Sequence, residues 1–161
     1  MKIFKLLLSY ALFFALVVAP RVAEADSVVP FKSTIAITES IQPGSPTCFL
    51  VGNISGTGLA SHLGKITLVS SDCINPLNEA GTAFSFFSNQ LVLSVSNGDQ
   101  IIAVYSGILT IEGTVGVISG GYQIVGGTGR YAQATGAGTV QGVEDPLTGA
   151  GNIQLTGTIS Y

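Results

Sequence analysis

The chain has 161 residues, of which 47% are hydrophobic and only 9% are charged. After residue 25 its only cations are Lys32, Lys65 and Arg130. Three scattered cations are too few to neutralise a nucleic-acid backbone or to hold the protein on an anionic membrane surface. The abundance of Ile, Val, Thr and Phe argues against disorder, because disordered segments are poor in β-branched and aromatic residues.

Residues 1–25 have the layout of a cleavable secretory signal peptide. Lys2 and Lys5 precede an apolar run over residues 6–18, and Ala23-Glu24-Ala25 is a small-x-small cleavage site. The apolar run is shorter than the roughly 20 residues that span a bilayer, although a retained N-terminal anchor is the alternative. No later segment of the sequence is apolar and long enough for a membrane-spanning helix. We therefore expect an exported protein, periplasmic or extracellular, with no membrane span after signal cleavage.

The region after the signal peptide alternates apolar and polar residues with the period of two that is typical of β-strands. Ile35 and Ile37 share one face of a strand, as do Leu91, Leu93 and Val95. The predicted strand segments are 34–38, 48–58, 65–71, 83–86, 90–96, 100–111, 115–125, 140–143 and 153–161.

These segments predict one all-β domain over residues 26–161, a closed eight-stranded antiparallel β-barrel or a sandwich. A barrel is favoured because a closed sheet has no exposed edges, which would be hazardous in so weakly charged a protein. Asn97-Gly98 predicts a type I′ hairpin turn, and Gly120-Gly121 predicts a bulge or bend. The longest irregular stretches are expected at 74–81 and 144–151.

Cys48 and Cys73 are the only cysteines. In an exported chain, two cysteines most simply form one structural disulfide. It would close a loop of about 26 residues and stabilise the fold by roughly 3 kcal/mol. Two free buried thiols or a redox pair are the alternatives, but the sequence contains no C-x-x-C motif.

A glycine-rich motif precedes the last two predicted strands. It consists of Gly126, Gly127, Thr128, Gly129, Arg130 and Tyr131, followed by Ala134-Thr135-Gly136. The glycines are expected to form a structural turn in which backbone approaches backbone closely, with the aromatic residue packed over the end of the barrel. The motif lacks the strand-to-helix setting and the Lys-Ser/Thr ending of a phosphate-binding loop.

This motif resembles the GGTG-basic-aromatic signature of the allene oxide cyclase and dirigent-like β-barrel superfamily, most of all its small exported bacterial members. The resemblance implies an eight-stranded antiparallel barrel with an apolar interior. Plant cyclases of this type use an early-strand glutamate near the cavity floor, and Glu39 lies on an early strand, although its neighbours match no motif of the family. Residues 144–148 are similar to a dirigent segment but follow the signature instead of preceding it.

Three polar residues within apolar strands are candidates for catalysis: Glu39, Tyr105 and Tyr122. If such a side chain pointed into a barrel, its pKa would shift and it could act as an acid or base. The alternative for the tyrosines is a ring in the barrel wall with its hydroxyl in water.

His62, Arg130 and Tyr131 are candidates for ligand binding. His62 could act as a general base, but the adjacent Ser61 does not make a catalytic triad, and the alternative is a Gly-flanked turn at the barrel rim. Arg130 could instead pair with an acid or a carbonyl group. One histidine and two bridged cysteines cannot build a zinc site, and the acids lack calcium-loop spacing, so neither a metal nor a cofactor is expected.

Three functions remain open. The first is a non-enzymatic exported barrel that binds a small apolar ligand in its lumen or a protein partner on its rim. An interior void below about 100 Å³ would exclude a ligand in the lumen, because ligand pockets are roughly 300 Å³ or larger. The second is an isomerase or cyclase for a hydrophobic oxygenated substrate, which requires an inward acid or tyrosine beside a cavity. The third is a surface or matrix component that assembles with other copies. The oligomeric state does not follow from the sequence.

Overall fold

The computed structural model describes residues 27–161, so the predicted signal peptide lies outside the described residues. Eight strands account for most of this region, and a single 3₁₀ turn follows the sixth. The strands are β1 (Val29–Ser45), β2 (Cys48–Ala60), β3 (Gly64–Pro76), β4 (Ala83–Val95), β5 (Gln100–Glu112), β6 (Val115–Gly127), β7 (Thr135–Glu144) and β8 (Ala150–Ser160), and the 3₁₀ turn is Gly129–Tyr131.

Each strand pairs antiparallel with its neighbour in the chain, and β8 closes the sheet by pairing with β1. Phe31 of β1 lies opposite Gly157 of β8, and Ile35 lies opposite Ile153. The predicted all-β fold, a closed eight-stranded antiparallel barrel, is confirmed. Within residues 27–161 no helix is long and apolar enough to cross a membrane.

Because the strands alternate in direction, their connections fall at two ends of the barrel. The turns at 46–47, 77–82, 113–114 and 145–149 lie at one end, here called the open end. The turns at 61–63 and 96–99, the connection from β6 to β7 and the end of β8 lie at the other, here called the closed end.

The core is the inside of the barrel, filled by alternate residues of every strand. On β1 the buried residues are Phe31, Ser33, Ile35 and Ile37, whereas the intervening residues are exposed. This alternation is the period-two pattern of the sequence, and in the closed sheet the apolar residues of each strand point into the barrel. The barrel therefore has an apolar interior in which any polar side chain stands out.

The fourth strand contains a bulge, and the sequence analysis predicts two separate strands in its place. The register of β4 shifts between Phe87 and Leu91 relative to β3, and between Ser88 and Leu91 relative to β5. The inward set consequently changes from Phe86 to Leu91 and Leu93, which reverses its phase. The segments predicted at 83–86 and 90–96 are thus one strand, because an extra residue in a bulge restores the inward alternation.

Three further local predictions are wrong. Asn97-Gly98 does not form a type I′ turn, which needs a positive φ at both residues, because only Gly98 has one, at +91°. The register is continuous at Gly120 and Gly121, so β6 has no bulge there, and it shifts register at Val125 instead, between the partners Ile102 and Ala103. The irregular stretches are also shorter than predicted, since β3 extends to Pro76 and the last hairpin turn covers only residues 145–149.

Cys48 and Cys73 form the predicted disulfide, with their Cα atoms 5.2 Å apart. The bridge joins the first residue of β2 to the open-end part of β3. Nearby, the backbone N–H of Phe49 donates to the Asn75 side-chain oxygen at 2.9 Å. The hairpin of β1 and β2, whose outer part extends beyond the last β8 partner at Thr38, is thereby fastened to its neighbour.

Candidate functional site

Three carboxyl groups point into the barrel near its open end. Glu39, Asp72 and Glu144 come from β1, β3 and β7, and all three line one interior cavity. Asp72 and Glu144 are buried, and Glu39 is half-buried. We call these three residues the acidic floor, because they lie where the interior meets the open end.

The backbone leaves room for this floor. Gly52 of β2 lies beside Glu39, and a Cβ at this position would overlap the Glu39 carboxyl group. On the other side, the N–H of Glu39 donates to the carbonyl of Gly149 at 2.8 Å, which fastens the turn at 145–149 to β1. The position of the Glu39 carboxyl group is therefore set by the two strands and the turn around it.

Glu39 and Glu144 form a carboxyl pair that shares a proton. Burial raises the pKa of Glu39 to about 8, and the negative charges of Glu144 and Asp72 add to this effect. Burial also raises the pKa of Glu144, although the hydrogen bond from Glu39 opposes it. At neutral pH Glu39 is consequently the protonated partner, and its O–H donates to Glu144.

Asp72 belongs to a hydrogen-bonded network with Tyr105 and two serines. The Tyr105 hydroxyl donates to the Asp72 carboxylate and lies 2.9 Å from Ser70 Oγ. Ser70 Oγ lies 2.9 Å from Ser88 Oγ, which donates to the Ser71 carbonyl at 2.8 Å. Burial raises the pKa of Asp72 to about 6, while the hydrogen bonds from Tyr105 and Ser70 oppose the rise. Burial and the Asp72 charge raise the pKa of Tyr105.

The second interior phenol, Tyr122, has no hydrogen-bond partner. Its side chain is buried, its hydroxyl is unpaired, and it lines the same cavity as the acidic floor. Its ring packs edge-on against Phe31, with 6.2 Å between the ring centroids. Burial raises the pKa of Tyr122 to about 12. The Tyr122 hydroxyl lies over Gly138 and Gly157, where a Cβ would approach it to 2.7 and 2.8 Å. Gly157 pairs with Phe31 near the closed end of β1, so this hydroxyl is remote from the acidic floor.

The interior cavity, here called the lumen cavity, has a volume of about 50 Å³. Its polar lining consists of the acidic floor, Tyr105 and Tyr122, and the remaining lining side chains are aliphatic except for Phe86. The volume is below the limit set from the sequence, so a ligand enclosed wholly in the lumen is excluded. The barrel interior is filled except for a space the size of one small chemical group.

A larger cavity of about 440 Å³ opens directly above the lumen cavity. We call it the mouth. Glu39, Glu144, Ile74 and Leu109 line both spaces, so the two adjoin at these side chains. The apolar walls of the mouth include Ile41, Leu50, Phe84, Ile111, Pro146 and Leu147. The open end is thus a funnel with apolar walls and an acidic floor.

Arg130 and Tyr131 lie at the closed end, and neither residue lines the lumen cavity or the mouth. Tyr131 is fully buried and packs edge-on against Tyr161, at 4.9 Å between ring centroids. The Arg130 guanidinium stacks over both rings, 4.7 Å and 5.5 Å from their centroids, and donates to the Tyr131 hydroxyl. Gly129 permits this arrangement, since its φ is +55° and a Cβ there would overlap the Asp99 carboxylate.

His62 is also at the closed end, in the turn between β2 and β3. Its side chain is exposed and its φ is +64°, so it occupies the tip of a tight turn. Ser61 does not face it as a catalytic partner. The Ser61 hydroxyl accepts from the N–H of Lys32 at 2.9 Å and donates to the carbonyl of Pro30 at 3.3 Å.

The structure therefore divides the predicted site residues into two groups. Glu39, Tyr105 and Tyr122 all line the lumen cavity inside the barrel, whereas His62, Arg130 and Tyr131 lie at the closed end. The sequence analysis missed Asp72 and Glu144. Both continue an inward alternation, Ile66-Leu68-Ser70-Asp72-Ile74 on β3 and Val140-Gly142-Glu144 on β7, which would have revealed them.

The carboxyl groups of residues 27–161 include no cluster of three or more potential ligands that could hold a metal ion. Over residues 27–161 the fold and the site define a closed antiparallel barrel with an acidic funnel at its open end. The chain matches no known protein-family model, and no curated protein matches its sequence.

Proposed function

We propose that the protein binds a small, mainly apolar molecule in the mouth of the barrel, and that it does so without catalysis. The observation that carries this proposal is the funnel: about 440 Å³ of space with apolar walls, adjoining a polar floor. Pockets of this volume, with largely apolar walls and a few polar groups at one point, are typical of small-molecule sites. The polar floor would orient the ligand, while the walls would supply most of the affinity.

The protein would do this outside the cytoplasm. A disulfide between Cys48 and Cys73 is a feature of oxidising compartments, and the signal-like segment at 1–25 supports export to the periplasm or beyond the cell. A mouth that faces an extracytoplasmic medium would sample small molecules directly, because the open end has no strand or helix of residues 27–161 across it.

Native mass spectrometry of the protein purified from its own host tests this proposal first. The expected result is a reproducible additional mass that leaves on denaturation, which also identifies the ligand. A chain without additional mass that also fails to take up the uncharged fluorescent probe N-phenyl-1-naphthylamine would overturn the proposal.

A pair of matched variants locates the binding. Ile41 and Leu147 are 49% and 91% exposed and line the mouth, whereas Ile108 and Val143 are each 47% exposed and line none of the mouth. The double variant Ile41→Ser/Leu147→Ser is expected to weaken probe binding at least fivefold. The control Ile108→Ser/Val143→Ser is expected to change it less than twofold. Equal losses in both variants would place the probe on the outer wall.

A second candidate function is an isomerase or cyclase for a hydrophobic oxygenated substrate. The observation that favours it is Glu39, an inward carboxylic acid that holds its proton at neutral pH beside a cavity. Such a group is suited to general-acid catalysis of epoxide opening. The resemblance of residues 126–131 to the allene oxide cyclase signature also supports this candidate.

Incubation with an unsaturated fatty-acid epoxide, followed by chiral gas chromatography, tests the second candidate. An enzyme would produce one enantiomer in excess, and Glu39→Gln would abolish the excess because the amide has no acidic proton to donate. The exposed-carboxyl variant Glu112→Gln is the control and would keep it. A racemic product at the rate of the protein-free reaction would eliminate this candidate.

A further inference from the structure

We infer that the ligand of the mouth carries a primary ammonium group, which enters the lumen cavity and contacts the acidic floor. This inference rests on the proposed function, since it names the ligand class of the same site. It adds the chemistry of the head group, its size, and its position below the apolar body.

The first argument is charge. Glu39, Asp72 and Glu144 all line the lumen cavity, and no Lys or Arg side chain lines either this cavity or the mouth. The cations of residues 27–161, Lys32, Lys65 and Arg130, are on closed-end segments. Buried carboxylates are normally paired with a cation, because an unpaired buried charge is strongly unfavourable. A cationic ligand would supply the counter-charge that the chain lacks at this site.

The second argument is hydrogen bonding at the junction of the two spaces. Glu39 and Glu144 line both the mouth and the lumen cavity, so their carboxyl groups meet the end of a ligand that enters through the mouth. Carboxylate oxygens accept hydrogen bonds, and an ammonium group has three N–H donors. A carboxylate, a phosphate or a sulfate head group would instead place negative charge against three carboxyl groups. The acidic floor therefore selects a cationic donor as the head group.

The third argument is size. About 50 Å³ accommodates one or two water-sized groups, so an –NH₃⁺ group fits and a trimethylammonium group does not. Ile74 and Leu109 line both spaces and would contact the first methylene groups of the ligand. The apolar body would then lie between Ile41, Leu50 and Leu147 in the mouth.

The protonation of the floor must change when such a ligand binds. The groups that face Glu39 are Glu144 from β7, Asp72 from β3 and Tyr105 from β5, and Tyr122 of β6 completes the ionisable lining. The linings contributed by β2, β4 and β8 contain no titratable group. An ammonium ion favours the ionised carboxyl pair, so binding near pH 7 is expected to release a proton from Glu39.

Isothermal titration calorimetry in about 150 mM salt, with 1-octylamine, 1-octanol and octyltrimethylammonium as probes, tests the inference. At pH 7 the amine is expected to bind at least tenfold more tightly than the alcohol and than the quaternary ammonium. Repeating the amine titration in buffers of different ionisation enthalpy is expected to show proton release, a readout that requires no variant.

Two double variants assign the effect. Glu39→Gln/Glu144→Gln is expected to lower amine affinity at least tenfold and leave the alcohol within threefold. The control Glu79→Gln/Glu112→Gln, at two exposed positions of the open end, is expected to change amine affinity less than threefold. If the amine and the alcohol bind equally, the inference of an ammonium head group fails, whereas the proposed binding of an apolar molecule in the mouth is supported. If the quaternary ammonium matches the amine, the head group does not enter the lumen cavity. If neither these probes nor N-phenyl-1-naphthylamine bind, the proposed function itself fails.

Discussion

At the scale of single residues, the interior carboxyl groups give this protein an unusual dependence of stability on pH. An acid whose pKa is higher in the folded state than in the unfolded state binds its proton more tightly when folded. Its contribution to the free energy of unfolding is then fully present at low pH and is lost as the pH rises through the folded-state pKa. Burial places Glu39, Asp72 and Glu144 in this class.

We predict that the protein becomes less stable as the pH rises from about 5 to about 8. The window follows from Glu39, whose pKa is 4.5 ordinarily and about 8 in the barrel. Each tenfold change in proton affinity corresponds to about 1.4 kcal/mol, and after allowance for solvent screening the loss is on the order of 2 kcal/mol. Urea unfolding at several pH values measures it. Stability that increases over this range would contradict the prediction.

The variant Glu39→Gln separates this effect from the rest of the protein's titration. The amide keeps the shape of the protonated acid but cannot ionise, so the pH dependence above 5 is expected to flatten markedly. Glu112→Gln serves as the control, because Glu112 is an exposed carboxyl at the end of β5. It is expected to keep the wild-type slope.

The two interior phenols should respond to hydroxyl removal in opposite ways. Tyr105→Phe removes the donor to Asp72 and is expected to lower the free energy of unfolding by about 1–3 kcal/mol. Tyr122→Phe removes a buried hydroxyl that has no partner and is expected to leave stability unchanged or raise it by up to about 1 kcal/mol. Thermal unfolding of the ligand-free variants measures both. A large loss in Tyr122→Phe would reveal a partner for its hydroxyl.

At the scale of elements, two adjacent glycines in β6 make opposite predictions. A Cβ on Gly120 would lie 2.3 Å from the Ser106 carbonyl oxygen, whereas a Cβ on Gly121 would lie 3.4 Å from its nearest neighbour. Gly120→Ala is therefore expected to destabilise the barrel by about 1–3 kcal/mol. Gly121→Ala is expected to be neutral or to stabilise by up to about 1 kcal/mol, because alanine restricts the unfolded chain. Similar unfolding midpoints for both variants would contradict this difference.

The disulfide is the second element-scale prediction. Cys48 and Cys73 are 25 residues apart in sequence, so reduction is expected to lower the free energy of unfolding by about 3 kcal/mol through the greater freedom of the unfolded chain. Urea unfolding with and without dithiothreitol measures the change. The variant Cys48→Ala/Cys73→Ala should show the lower stability under both conditions. A response of this variant to the reductant would mean that the reductant acts elsewhere.

The barrel was predictable because its strands carry a clean period of two, and the errors arise where that period changes phase. In β4 the inward set passes from Phe84 and Phe86 to Leu91 and Leu93, an even-to-odd change that suggests two strands. Only pairing with both neighbours shows that one bulged strand accounts for it. The sequence also predicts a bulge at Gly120-Gly121, where the register is in fact continuous. This error arises because the sequence does not show which residues lie opposite the two glycines on the neighbouring strands.

The acidic floor could be predicted only in part. Glu39 is detectable because it continues the inward face of Ile35 and Ile37 on one strand. Its proximity to Asp72 and Glu144 depends on the register of eight strands and on barrel closure, which leaves only β8 between β7 and β1. Local alternation contains no information about that closure, so the cluster emerges only from the folded sheet.

At the scale of the whole molecule, charge is segregated along the barrel axis. The open-end segments carry six acids, Glu39, Asp72, Glu79, Glu112, Glu144 and Asp145, and no cation. Lys32, Lys65 and Arg130 lie on the closed-end segments together with one acid, Asp99. Such a separation produces an electric field that draws cations toward the mouth. The part of this field that comes from exposed charges is strong only at low ionic strength, because salt screens them.

The charge segregation predicts how the affinity for an ammonium ligand depends on salt concentration. Exposed acids act on an approaching cation across solvent and are screened, because the Debye length falls from about 30 Å at 0.01 M salt to about 10 Å at 0.1 M. The buried floor acts at contact and is screened much less. Affinity for 1-octylamine is therefore expected to fall several-fold between about 10 and 300 mM salt and then to level off, while affinity for 1-octanol stays constant. In Glu79→Gln/Glu112→Gln the fall is expected to be shallower, with the same affinity at high salt. An amine affinity that does not change with salt would show that the segregated charges do not reach the ligand, and one that vanishes at high salt would show that the buried floor does not hold it.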